Sequence, residues 1–267
     1  KTWHTTYCSI YSQPRIKIIK TSSVNCEALN QECTSQAISL LNSFNQWLNV
    51  SSFSSIVNSL KELNSLDEIR IIIATSCHEL RQLPWHLWDI LNKFILVEVA
   101  LSSPNAERGE RPFRENIRIL IILGDSSNIN VEADRQYLQT FCGAAEIILL
   151  QQPSRDNLNN YLQDKLGWDM LFFSGHSETQ GMQGRIYLNN EDSLTMAELR
   201  DALQVAIKRR LQIAFFNSCD GLGIAYELEQ LNITQVIVMR EPVPDTIAQE
   251  FLKYFLQEFT GGKSLYI

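Results

Sequence analysis

The chain has 267 residues, 45% of them hydrophobic, enough for one large core or two modest ones. Its formal net charge of −7 argues against a nucleic-acid binder, which carries a basic face. The longest aliphatic runs are strand-length, such as residues 119–123, well short of the roughly 20 residues a membrane span needs.

Six cysteines stand at positions 8, 26, 33, 77, 142 and 219 with irregular spacing and no C-x-x-C pair. At this length they read as reduced thiols of a cytoplasmic protein rather than a disulfide framework. No signal-peptide pattern opens the chain. It begins at Lys1 and ends in an apolar Ser-Leu-Tyr-Ile stretch, so we expect a piece of a longer protein, truncated at its C-terminus. That longer protein could carry a membrane anchor elsewhere.

In chain order, residues 15–20 read as a strand. Residues 26–48 read as a helix on which Leu29, Ala37, Leu40, Leu41, Phe44 and Leu48 mostly share a face. Residues 51–60 are Ser-rich and fit either a loop or another helix. A strand at 69–74 follows, then Pro84 placed to start a helix through Trp85 and Trp88, then a strand at 94–101. Residues 102–116 are charged, hold two prolines and almost no apolar side chains, and read as a linker between two subdomains.

Beyond the linker the pattern becomes regular. Strands at 117–123, 146–150, 170–173, 213–216 and 236–239 alternate with helices near 131–141, 154–166, 196–208, 221–231 and 245–258. Such alternation predicts an α/β fold with a mostly parallel central sheet covered on both faces. Thr195 and Glu198 form a capping-box pattern, with Met196, Leu199, Leu203 and Ile207 on one face after it. Residues 181–188, with Gly181 and Gly184, predict a small hairpin or flap.

Two of these strands end in reactive side chains. One reads Trp168-Asp-Met-Leu-Phe-Phe-Ser-Gly-His176, the other Leu211-Gln-Ile-Ala-Phe-Phe-Asn-Ser-Cys219, followed by Asp220 and Gly221. Ligands bind at the carboxyl ends of parallel strands, and a single crossover makes these two strands neighbours. His176 can serve as general base and Cys219 as nucleophile, its thiol acidified by the helix that follows. Backbone N–H groups of Ser177 and Cys219 can form an oxyanion hole. The chemistry is that of a cysteine peptidase and calls for no cofactor or metal.

Other candidates carry less. Cys77-His78 imitates the pair, but adjacent residues seldom point the same way. A zinc site lacks ligands at suitable spacing, with only His4 and His86 left over. Gly262-Lys263-Ser264 lacks the upstream glycine of a phosphate-binding loop, since position 257 is Gln257. Gly124-Asp125-Ser126 reads equally as a turn or a pocket edge, and Trp85 and Trp88 as core or subdomain-interface residues.

The Gly-His strand end combined with Asn217-Ser-Cys-Asp-Gly221 resembles the CHAT-domain family, relatives of caspases and separases. The resemblance covers about residues 69–267. It extends through Leu83-Pro-Trp-His-Leu87, residues 169–176, Gly184-Arg-Ile-Tyr-Leu188, residues 216–221 and Val238-Met-Arg-Glu-Pro242. It implies a caspase-like three-layer domain at 112–267 with a His176/Cys219 dyad. Before it, a smaller, catalytically silent α/β subdomain at 1–105 would act as support. It also implies a cysteine endopeptidase acting on a protein or peptide substrate and regulated by fused or partner domains.

Ser177 stands where many relatives have glycine, which leaves open a silent caspase-like scaffold or signalling module; a small-molecule acyl hydrolase is a third reading. In this group the residue two before the nucleophile lines the pocket for the substrate side chain preceding the scissile bond. Here that residue is Asn217, a neutral amide. Asp125 and Glu241 follow strands at the same sheet edge, and either could supply a carboxylate to that pocket.

Overall fold

The computed structural model describes residues 2–10, 24–102, 104, 116–127, 129–143, 145–180, 183–218 and 221–260. The expected strand at 15–20, nearly all of the linker, Gly181, Cys219, Asp220 and residues 262–264 lie outside these. The described residues fall into two compact units, one ending at residue 104 and one beginning at residue 116.

The first unit runs α1 (Thr2–Ile10), α2 (Val24–Leu48), a 3-10 turn (Ser51–Phe53), α3 (Ser54–Glu62), β1 (Ile69–Ala74), α4 (His78–Arg81) and β2 (Val97–Ser102). The strands pair in parallel with Ile69 opposite Val97, so the chain between them must cross over. That crossover departs from the expected helix after Pro84. It holds two 3-10 turns, Trp85–Leu87 and Asp89–Lys93, linked by N–H bonds from Trp88 to Trp85, Leu91 to Trp88 and Phe94 to Leu91. The reason is the spacing of the apolar residues. Trp85, Trp88, Leu91 and Phe94 recur every third position, which is the 3-10 period rather than the α period. All four are buried with Phe44 and Leu48 of α2 and Leu60 of α3. The Trp85 indole N–H donates to the Leu80 carbonyl at 2.7 Å, so the buried ring leaves no polar atom unsatisfied. Because Phe94 closes this ladder, β2 starts three residues later than the apolar run alone suggests.

The second unit runs β3 (Arg118–Leu123), α5 (Val131–Phe141), β4 (Glu146–Gln151), α6 (Arg155–Leu162), β5 (Met170–Ser174), β6 (Ser177–Gln180), β7 (Gln183–Tyr187), β8 (Ser193–Thr195), α7 (Arg200–Arg209), β9 (Ile213–Asn217), α8 (Leu222–Glu229), β10 (Gln235–Val238) and α9 (Asp245–Thr260). Five strands form one all-parallel sheet in the order β10-β9-β5-β3-β4. Every residue of β3, β5 and β9 is buried, which is why these strands are continuous apolar runs rather than alternating ones. The architecture is the expected mixed α/β fold with a parallel central sheet.

Two details differ from expectation. The Thr195–Glu198 capping box forms, with Thr195 N–H donating to Glu198 Oε2 at 2.8 Å and Glu198 N–H to Thr195 Oγ1 at 3.2 Å. It closes a turn directly after β8, and α7 proper begins only at Arg200. The predicted flap is a three-stranded antiparallel sheet, in which β7 pairs with both β6 and β8.

Candidate active site

The sheet places the two strands of interest side by side. β5 and β9 are hydrogen-bonded neighbours, with Phe173 opposite Phe216 and Ser174 opposite Asn217. His176 follows β5 by two residues, and Cys219, outside the described residues, follows β9 by two.

The His176 ring has a defined orientation. Nε2 donates to the Ser127 carbonyl at 2.7 Å, and because a carbonyl only accepts, Nε2 carries the hydrogen. In the neutral ring, Nδ1 is then the basic nitrogen. Nδ1 is buried and has no hydrogen-bond partner among the described residues. Ser127 is itself held, since its N–H and its hydroxyl both donate to Asp125 Oδ1, at 3.1 and 2.8 Å. Asp125 therefore shapes the loop that supports the imidazole.

Ser177 and Ser218 are both buried, and the Ser177 hydroxyl donates to Ser218 Oγ at 2.8 Å. This bond joins the residue after His176 to the residue before Cys219. Ser177 is thus engaged in linking the two segments.

Asn217 is fully buried, and its amide donates to Asp134 Oδ2 at 2.9 Å. Ser174 donates to the same oxygen at 2.5 Å. Asp134 was not anticipated from the sequence, although a signal existed. It lies four residues before Leu138, on the buried face of α5, where a carboxylate is unusual without partners.

Glu241 follows β10 beside Arg240. Burial lowers the Arg240 guanidinium from its ordinary value, while the Glu241 charge works the other way. The Gly221 N–H donates to the Met239 carbonyl at 2.8 Å, and a Cβ on Gly221 would come within 2.6 Å of Val238. Only glycine fits where the segment after Cys219 crosses the end of β10.

The antiparallel flap packs on α8. Gly184 N–H donates to Glu227 Oε2 at 2.9 Å, and Gly223 N–H to Thr179 Oγ1 at 3.2 Å. Burial raises the Glu227 carboxyl above its usual range, with the Gly184 N–H and Arg200 partly opposing it.

Cys77 and His78 do not form a pair. The Cys77 thiol donates to Glu79 Oε2 at 3.2 Å, whereas the His78 ring bonds Gln82 at 3.1 Å. Trp85 and Trp88 lie in the core of the first unit. Among the described residues, no group of three or more His, Cys, Asp or Glu side chains could hold a metal ion. No described helix is long and apolar enough to cross a membrane.

The cysteines differ in exposure. Burial pushes the Cys142 thiol up to about 11, so it stays protonated at neutral pH, whereas Cys77 is exposed. Alkylation of the folded protein near neutral pH should label Cys77 and spare Cys142 until the chain is denatured. Peptide mass spectrometry checks this, and rapid labelling of Cys142 in the folded state would contradict it.

The parallel α/β sheet with an oriented histidine at the carboxyl end of a central strand is consistent with a caspase-like fold. The CHAT domain family model matches residues 55–266, and the chain belongs to the CHAT-domain family. None of the curated proteins matches this chain.

Proposed function

We propose that the chain is a cysteine endopeptidase domain using His176 and Cys219. The observation that carries this reading is the His176 ring, held through Nε2 with a buried Nδ1 free to take a proton, on the strand next to the one leading to Cys219.

The steps follow from general chemistry. The Cys219 thiol gives its proton to His176 Nδ1, and the thiolate adds to the scissile carbonyl. The tetrahedral intermediate collapses to a thioester as the imidazolium protonates the leaving amine. Water, deprotonated by His176, then hydrolyses the thioester. The N-terminus of α8 favours the thiolate.

Support for an oxyanion hole comes from the alternation of the antiparallel ladder. Tyr187 N–H donates to the His176 carbonyl at 3.0 Å, which makes these two the bonded pair. Ser177, opposite Ile186, is then in the non-bonded position with its N–H directed away from β7. This N–H and that of Cys219 are the oxyanion donors in our reading. The second unit carries the chemistry and the first supports it, in a cytoplasmic setting where thiols stay reduced. Fused or partner domains regulate it.

Substrate preference follows from the charges near the site. Asp125 is engaged with Ser127, Glu241 lies beside Arg240, and Asn217 and Asp134 are both fully buried and bonded to each other, so neither offers a charge to a bound side chain. A buried cation needs a matching carboxylate. We therefore expect cleavage after uncharged polar or apolar residues, without a strict requirement for Arg or Lys. A peptide library cut almost exclusively after Arg or Lys would contradict this, and relaxation by Asp125→Asn or Glu241→Gln would identify the acid responsible.

The peptidase reading is tested by the same library. The wild type should cleave it and Cys219→Ala should not. Equal cleavage by both would remove Cys219 from the reaction, and cleavage by neither with candidate activating partners present would favour a silent scaffold.

A further inference from the structure

The sheet ladder accounts for the alignment of β5 and β9 only as far as Ser174 and Asn217, the last paired residues. Beyond them each chain continues for one residue before His176 or Cys219. Side-chain contacts at this last rung and just beyond it can hold the two strand ends together. Both last residues carry polar side chains, both are fully buried, and both donate to one atom, Asp134 Oδ2. Asp134 is itself fully buried on α5. The Ser174 hydroxyl lies 2.5 Å from that oxygen and the Asn217 amide nitrogen 2.9 Å.

We infer that Asp134 is a positioning residue, a shared acceptor that fixes through Ser174 and Asn217 the two strand ends carrying His176 and Cys219. This rests on the dyad reading above. The Ser177–Ser218 bond makes a second tie on the far side, between the residue after His176 and the residue before Cys219. The two ties bracket His176. A buried acceptor serving two donors is also hard to replace, because removing it takes a hydrogen bond from each in an interior that excludes water.

A purely structural network would affect stability alone. A positioning role also changes how readily Cys219 loses its proton to His176. The test is the rate of Cys219 alkylation by iodoacetamide, followed by peptide mass spectrometry on the full chain from about pH 5 to about pH 9. The variants are His176→Ala, Ser174→Ala, Asp134→Ala and Asp134→Asn. Asparagine keeps an oxygen able to accept both bonds, whereas alanine does not.

We expect Ser174→Ala and Asp134→Ala to lower the neutral-pH rate about ten-fold and to move the profile toward higher pH. Asp134→Asn should stay within about three-fold of wild type. Ser174→Ala removes a single oxygen, so it keeps the test informative if Asp134→Ala does not fold. If His176→Ala lowers the rate but Ser174→Ala follows the wild-type profile, the dyad stands and the positioning role is overturned. If His176→Ala itself follows the wild-type profile, the dyad reading fails and the inference fails with it.

Discussion

Replacing His176 with alanine should lower peptide cleavage by about 100-fold to 10,000-fold, the usual contribution of a positioned general base. The loss should fall on kcat with KM little changed, because the imidazole moves a proton and does not hold the substrate. The Nε2 bond to Ser127 fixes which nitrogen is basic, and Nδ1 has no hydrogen-bond partner among the described residues. Asp125→Ala should act in the same direction but more weakly, since it releases Ser127 and leaves its carbonyl in place. Steady-state kinetics on a cleaved peptide checks both. A His176→Ala enzyme with wild-type kcat would remove His176 from the mechanism.

The second large effect concerns stability. Asp169→Ala should destabilise the protein by about 2–3 kcal/mol, the cost of stranding buried polar groups. Asp169 is fully buried at the start of β5, at the sheet edge opposite His176. Its carboxylate accepts from the Arg118 backbone N–H at 2.9 Å and from Arg210 Nε at 3.2 Å. Its backbone carbonyl accepts from the N–H groups of Gln212 and Ile213. One residue thus joins the starts of β3, β5 and β9. Beside it the buried Arg118 guanidinium pairs with Glu146 and Asp164 and lies 4.4 Å from the Trp168 ring centroid. Urea unfolding measures the loss, and a change below about 0.5 kcal/mol would contradict this account. Activity per folded molecule should remain, because the lock lies at the end of the sheet away from the site.

What was legible in the sequence was what depends on runs and periods. The apolar stretches around Ile121, Phe172 and Phe215 marked the central strands, because strands buried on both faces have no polar alternation to blur them. The neighbouring placement of β5 and β9 followed from the connection between them. Pro84 marks a helical start equally well for an α-helix and a 3-10 turn, so the helix expected through Trp85 and Trp88 and the strand expected from Phe94 both gave way to the Trp85-to-Phe94 ladder. The capping box at Thr195 was recognised, but the length of the turn it closes depends on where β8 releases the chain.

The interior polar contacts were not legible. Asn217 was readable by its distance from Cys219, but its burial and its bond to Asp134 join positions 83 residues apart. The same holds for Ser177 and Ser218, separated by 41 positions. Such pairings depend on tertiary packing, which local patterns do not encode. The Ser127 carbonyl that orients His176 is a backbone atom, and no residue identity announces it.

The central claim, a nucleophilic Cys219 activated by His176, is tested most directly by peptide-based thiol-reactive probes, applied with and without candidate activating partners. The account predicts one dominant adduct, mapped to Cys219 by peptide mass spectrometry and lost in His176→Ala. Adducts confined to the exposed Cys77, with Cys219 unmodified under every condition, would contradict it.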